Sequence, residues 1–459
     1  MPTIARPARR TLVLALALTV SLATPLAAQS DEAAAAKAFT RAEDLVAKAN
    51  YTAARALYRE IAERWPKTAA GQLAALRAQG NAFLGRAPLL DNGPSANRID
   101  IVVMGDGYML DKLNAFDDIA RTLPKNFARD PVLEEYLGYH NFWRASVVSR
   151  EDGIDGFGRT YDTALGGRML PNVHGQATVD RGAVQRILGE IPEAEGLAVV
   201  FVKAGQLGTG GGGVAVIGGR EDDTVIHEWG HAFAGLADEY IDQVHRGRTA
   251  DSINVAGSGD PKTVPWRHWI EAGAPGIGVY EGAAGMQRGA WKPTTGGCVM
   301  EHGRYFCAVC REAVVLAIHR RVDPIDGAKP EPGSTLRSKP APTLTVEVLR
   351  PRTHGLDVRF WVLPKAQAPA ERPEPQGARR DRAERGALPP IAGEPDWVVF
   401  NAGKQVQWKV PVRERKPGTY VVVCRVRDTT KVARDTLPWV LKDDAGVLES
   451  ERRWTLLVE

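Results

Sequence analysis

The run His227-Glu228-Trp229-Gly230-His231 carries the residue types and spacing of a zinc-activated hydrolase. On a helix, side chains four residues apart share one face, so both imidazoles can aim a nitrogen at a single ion. Glu228 then stands beside the open coordination position. Zinc needs that position to bind water and lower its pKa, and a neighbouring carboxylate takes the proton as the water attacks a polarised carbonyl. Val225, Ile226, Trp229, Phe233 and Leu236 give the segment an apolar side, as a helix packed inside a domain requires. Catalytic zinc usually takes three protein ligands, and the sequence continues Ala232-Phe-Ala-Gly235-Leu-Ala-Asp238-Glu239-Tyr240. Gly235 lets the helix end. Asp238 is the favoured third ligand because its shorter arm suits a turn that has already approached the metal, and Glu239 is the alternative. One catalytic Zn2+ with Glu228 as general base is the expected chemistry.

Such a centre needs a mixed scaffold, and the flanking sequence predicts one. Ile99-Asp-Ile-Val-Val-Met104 reads as a buried strand running into the Gly105-Asp106-Gly107 turn, with further strands at Ala145 to Ser149, Leu197 to Lys203 and Val214 to Ile217. Asp106 reads as ordinary turn chemistry, with substrate orientation or calcium binding as the alternative. The glycine run Gly208 to Gly213 lacks the following Lys-Ser/Thr of a phosphate loop. It is expected to form a mobile rim or an edge strand whose backbone comes close to a ligand. Upstream, Tyr51 to Pro66 has helical period, with Ala54, Leu57, Tyr58 and Ile61 on one face and Trp65-Pro66 as its stop. It resembles a tetratricopeptide helix pair, expected to lean on its neighbour or to take a protein partner. Downstream, Pro330, Pro332, Pro340 and Pro342 mark a linker, and short alternating runs from Thr343 onward suggest a β-sandwich.

The expectation is a multidomain α+β protein: a signal peptide over 1–28, a helical segment over 29–90, a zinc catalytic α/β domain over 97–327, a linker over 328–342 and a β-sandwich over 343–459. The Pro-, Ala-, Arg- and Glu-rich stretch 364–395 is expected to be a disordered insert in the last of these. The 459 residues are 44% apolar and 25% charged, ordinary globular values. Of the formal charge of +4, three belong to Arg6, Arg9 and Arg10, in a stretch with no acid before residue 29. Those arginines, the apolar core Leu12 to Ala23 and Pro25-Leu-Ala-Ala28 have the order of a secretory signal. The expected product is exported, periplasmic or secreted, without a transmembrane anchor after cleavage. The near-neutral remainder offers no footprint for nucleic acid.

The zinc motif and its continuation to Tyr240, the Arg98-Ile-Asp-Ile-Val-Val-Met-Gly-Asp-Gly-Tyr108 strand-turn, Val147-Val-Ser-Arg-Glu-Asp-Gly153, Cys298-Val-Met300 and Phe306-Cys-Ala-Val-Cys310 together resemble the IgA-peptidase-type family of secreted zinc metalloendopeptidases. The resemblance implies a metzincin-like catalytic domain, zinc at His227 and His231, Glu228 as base and a polypeptide substrate. The register departs from the metzincin pattern, since Ala234 and Ala237 occupy the usual glycine and third-ligand positions. Met300 resembles a Met-turn residue beneath the ligands. His302 and Tyr305 read as surface or supporting residues, with an approach to the metal or the oxyanion as the alternative. In an oxidising compartment Cys298 is expected to pair with Cys307 or Cys310, and a structural zinc on Cys298, His302, Cys307 and Cys310 is the competing reading. Competing functions are an inactive envelope scaffold and a zinc amidase acting on cell-wall peptides.

Overall fold

Alanine-rich amphipathic sequence opens the chain as three helices, α1 (Leu26–Ala47), α2 (Tyr51–Arg64) and α3 (Ala69–Arg77). The computed structural model describes residues 26–171, 176–203, 208–218, 222–242, 251–371, 381–413 and 415–459. α2 stops where Trp65 leaves the helical conformation ahead of Pro66, and the Thr68 side chain caps α3 by accepting from the Gly71 amide. The chain then enters β1 (Ala82–Leu90), β2 (Ile99–Asp106), α4 (Leu113–Phe127), α5 (Pro131–Glu135) and β3 (His140–Val148). A short ribbon of β4 (Arg168–Met169) and β5 (Ala177–Thr178) precedes α6 (Arg181–Leu188), β6 (Ala198–Val202), β7 (Thr209–Gly211), β8 (Val214–Ile217) and α7 (Asp222–Ala234).

Six of these strands form one sheet in the order β1-β3-β2-β6-β8-β7. β3, β2, β6 and β8 run parallel, and antiparallel β1 and β7 close the two edges. Every residue of β2 is buried, as expected for a central strand covered on both faces. One face carries α6 with Val184 and Ile187 against Val102, Val200 and Val216. The other carries the N-terminal helices through Val46, Tyr58 and Ile61, α4 through Phe116 and Phe127, and α7 through Trp229 and Phe233.

Beyond α7 come α8 (Arg267–Glu271), the ribbon of β9 (Tyr280–Ala283) and β10 (Met286–Lys292), and α9 (Ala308–Arg321). The C-terminal strands are β11 (Ile325–Lys329), β12 (Thr335–Arg337), β13 (Thr343–Val348), β14 (Leu356–Pro364), β15 (Trp397–Ala402), β16 (Gln405–Lys409), β17 (Gly418–Arg427) and β18 (Glu449–Val458). They make two sheets, β11-β13-β16 and β12-β18-β17-β14-β15, over one core that includes Val346, Phe360, Val422 and Leu456.

Several sequence-based boundaries change. The helical segment does not reach residue 90, because Ala82–Leu90 is strand β1. Its Gly85 and Pro88 sit at irregularities in the pairing with β3, at a sheet edge where proline is tolerated. The apolar face of the front helices is covered by the sheet, and the Tyr58 hydroxyl donates to the Leu84 carbonyl of β1 at 2.7 Å. Residues 328–342 are no free linker: β12 pairs in parallel with β18, and both β11 and β12 are edge strands, compatible with neighbouring prolines. Within 364–395, Arg382 is buried and its guanidinium donates to the carbonyls of His319 (2.6 Å), Val322 (2.9 Å) and Val447 (2.7 Å). That half of the expected insert is therefore pinned to α9, and residues 372–380 lie outside the described residues. The signal segment also lies outside them up to residue 25, and Leu26–Ala28 begin α1. Among the described residues no helix is long and apolar enough to cross a membrane.

Candidate metal centre

α7 packs Val225, Ile226, Trp229 and Phe233 into the core, with the Trp229 and Phe233 rings stacked 5.0 Å apart. That orientation leaves His227 and His231 on the opposite side, facing each other one turn apart. The helix ends at Ala234, and Gly235 takes the left-handed conformation (φ +67°) that glycine adopts without strain. The Leu236 amide donates back to the Gly230 carbonyl at 3.2 Å, and the chain reverses over the histidines. The peptide before Asp238 is clamped by Asn254, whose Oδ1 accepts from the Ala237 amide and whose Nδ2 donates to the Ala237 carbonyl, each at 2.8 Å.

This turn brings three donor atoms together. Asp238 Oδ1 lies 3.1 Å from His227 Nε2 and 3.0 Å from His231 Nε2, and the two Nε2 atoms are 3.1 Å apart. His227 Nδ1 donates to the Val299 carbonyl at 2.8 Å and His231 Nδ1 to the Leu236 carbonyl at 2.6 Å. With both Nδ1 protons so committed, the neutral rings turn both Nε2 lone pairs toward each other and toward a carboxylate. Three acceptors at such distances repel unless a positive charge lies between them. A cation with tetrahedral bonds of about 2.0–2.1 Å spans a triangle of this size, so the residues fit a zinc-class ion. A proton can serve as that positive charge in place of an ion: burial disfavours charge on His231, yet its hydrogen bond to Asp238 lifts it to about 9. Burial likewise opposes charge on Asp238, but the two imidazoles hold its carboxyl well below the usual range. The His227, His231 and Asp238 side chains keep 16, 15 and 30% of their surface, so one side of the triangle remains open to a further ligand.

Glu228 lies beside this triangle, 6% exposed, and burial pushes its carboxyl above the ordinary range while the two histidines pull it down. It sits against β7 and the residue before it: a Cβ on Gly208 would come within 2.7 Å of Glu228 Cγ, and one on Gly210 of β7 within 2.3 Å of the Glu228 carbonyl. Only glycine lets the edge strand run so close to the helix. Below the histidines Met300 is fully buried, and a Cβ on Gly230 would meet its Sδ at 2.8 Å.

Residues 87–277 match the family model described as IgA Peptidase M64. That segment is similar to the M64 peptidases. No curated protein matches the chain. The matched segment contains the end of β1, strands β2 to β8, α7 and Asp238, so the family match and the donor geometry meet on the same residues. The match supports a peptidase, a class whose substrates are polypeptides. Met300 and all four cysteines lie beyond the matched residues.

Other expected site residues fall differently. Glu239 turns away from the histidines into a buried group with Cys298, Cys307 and Cys310. The expected disulfide is absent, since all four cysteines are free, and Cys424 lies apart in the C-terminal core. The reason is local: each of the three sulfurs faces the Glu239 carboxylate and the other two across a shared space. His302 is no member of that group; it is exposed and stacks on Tyr240 at 6.0 Å. Tyr305 is 41% exposed, and its main-chain carbonyl accepts from the Val299 amide at 2.9 Å. Asp106 is fully buried and accepts from Ser149 Oγ (3.2 Å), Thr163 Oγ1 (2.9 Å) and the amides of Leu165 (2.9 Å) and Gly167 (2.7 Å). It organises the 163–167 loop, and neither calcium nor substrate is needed to explain it. Sequence reasoning missed Asn254 and Tyr240, whose ring stacks on His227 at 6.1 Å and whose hydroxyl donates to Asp238. Tyr240 follows Asp238 closely enough to have been suspected; Asn254 acts from a separate loop and left no local signal.

Proposed function

We propose that the protein is an exported zinc-dependent endopeptidase in which His227, His231 and Asp238 hold the ion and Glu228 is the general base. The observation that carries this reading is the donor triangle, in which two lone pairs and a carboxylate converge with both Nδ1 protons already committed. A zinc-class ion held there would supply the Lewis acid that polarises a scissile carbonyl and acidifies water.

The chain's own groups do the rest. Glu228 takes a proton from the attacking water and passes it to the leaving amide nitrogen, and its burial raises its proton affinity toward that task. β7 is an edge strand of the sheet, so its outer backbone groups can pair with an extended peptide laid beside Glu228. Asn254 and the Leu236 and Val299 carbonyls hold the ligands in place, and Met300 fills the floor beneath them. The basic and apolar stretch before residue 29 is read as the export signal, and N-terminal sequencing of the processed protein checks it.

Dialysis against a chelator, followed by readdition of zinc, tests the reading on an unstructured protein such as casein. Cleavage should cease and return. Cleavage that persists in metal-free protein would overturn it, and chelator-sensitive release of cell-wall peptides without cleavage of casein would favour an amidase.

A further inference from the structure

We propose that Cys298, Cys307, Cys310 and Glu239 form a second, structural site for a thiophilic divalent cation of the zinc class, separate from the histidine centre. The proposal does not rest on the peptidase reading. Its four donor atoms, three sulfurs and a carboxylate oxygen, lie within 4.8 Å of one another. Zinc–sulfur bonds of about 2.3 Å place tetrahedral donors about 3.8 Å apart, so only a small contraction separates this group from a ligand cage.

The surroundings favour ligation over a cluster of thiols. Glu239, Cys298 and Cys310 are fully buried. The described partners of the Glu239 carboxylate are Asn254 Nδ2 (2.9 Å), Cys310 Sγ (3.1 Å), Thr294 Oγ1 (3.5 Å) and the Cys298 thiol, none of them a cation. Lys292 donates instead to the Glu239 main-chain carbonyl at 2.7 Å and pairs with Glu301 at 2.5 Å. A buried carboxylate without a counter-charge is costly, and a cation shared with three sulfurs removes that cost. Cys307 occupies the N-cap of α9, a position that favours the thiolate, and Cys307-Ala-Val-Cys310 has the two-residue spacing of zinc knuckles. Each thiol that ligates releases its proton to water, and no oxidation or reduction is involved.

The site would tie together three walls of the histidine centre. Glu239 follows Asp238, and its amide donates to the Met300 carbonyl at 2.8 Å. Cys298 precedes Val299, whose carbonyl fixes His227. Cys307 and Cys310 open α9 beneath them. An ion here would brace the loop that presents Asp238 without touching substrate.

The test is metal content and cobalt spectroscopy on the full chain. Elemental analysis should find two zinc ions per chain, and replacement by Co2+ should give a sulfur-to-cobalt charge-transfer band in the near ultraviolet. The H227A/H231A chain should keep one ion and the band; the C307S/C310S chain should lose one ion and the band. If the serine chain fails to fold, the wild-type spectrum still decides. Absence of the band from cobalt-loaded wild type would overturn the proposal. So would alkylation of denatured, unreduced protein that leaves two of these cysteines blocked in a disulfide. Loss of the histidine ion alone bears on the peptidase reading and leaves this one standing.

Discussion

Asn254 shows how much of the centre depends on groups that touch no ion. Its side-chain amide satisfies both polar groups of the Ala237 peptide and also reaches Glu239, so one fully buried residue fixes two successive carboxylates. Replacing it by alanine leaves partly buried main-chain groups unpaired and frees the turn that carries Asp238. The N254A chain should bind zinc about 10–100-fold more weakly, read by competition with a chromophoric chelator. Unchanged affinity would show that Asp238 is held by other means. At this scale much was legible in the sequence. The i, i+4 histidines and the short turn to Asp238 are local, and the local backbone alone brings them together. Glu239 and the cysteines could not be sorted the same way, because their meeting depends on where α9 begins relative to the turn after α7.

Among the elements, α7 is the one on which the site depends, and its constraints are steric. Gly230 leaves room for Met300 Sδ and for Phe306, whose Cε1 a Cβ there would meet at 3.0 Å. The G230A chain should lose about 1–3 kcal/mol of stability from overpacking, measured as a drop in thermal midpoint. A neutral effect would show that Met300 can move aside. The elements misread from sequence share one physical cause. β1, β11 and β12 are all edge strands, where proline and glycine are tolerated, so their breaker residues hid the strand pattern: β1 falls inside the expected helical segment and β12 inside the expected linker. Arg382 was hidden in a polar stretch because its burial depends on carbonyls from two distant segments, the end of α9 and Val447. Strands β2, β6 and β8, rich in β-branched residues and buried, were readable from composition alone.

Across the whole molecule, the C-terminal sheets are joined to the part that carries the metal centre by a buried polar network. Asp428, fully buried, accepts from Tyr136 (2.9 Å), His319 (3.0 Å) and His354 (2.8 Å), and His354 Nδ1 lies 2.8 Å from Glu135. Burial disfavours the His354 charge, but Asp428 and Glu135 raise it from 6.5 to about 9. A raised folded-state value stabilises fully below 6.5, and that contribution disappears as pH climbs through 9. Glu135, pulled from 4.5 to about 2 against its burial by His354 and Thr353, contributes above 4.5 and loses this as pH falls through 2. The network therefore stabilises most between about 4.5 and 6.5. The thermal midpoint should decline from pH 6.5 toward 9 in wild type. In H354Q this part of the decline should vanish, with stability lower by about 3–5 kcal/mol near pH 6. Parallel pH profiles for the two chains would contradict the assignment.

The central claim is that Glu228 serves the reaction and not the fold. Replacing it by glutamine keeps size and burial and removes the base. Casein cleavage by the E228Q chain, measured beside its zinc content, tests this most directly. Zinc should stay at the wild-type level while the rate falls by about 10²–10⁴-fold. An E228Q chain that holds its metal and cleaves as fast as wild type would contradict the account.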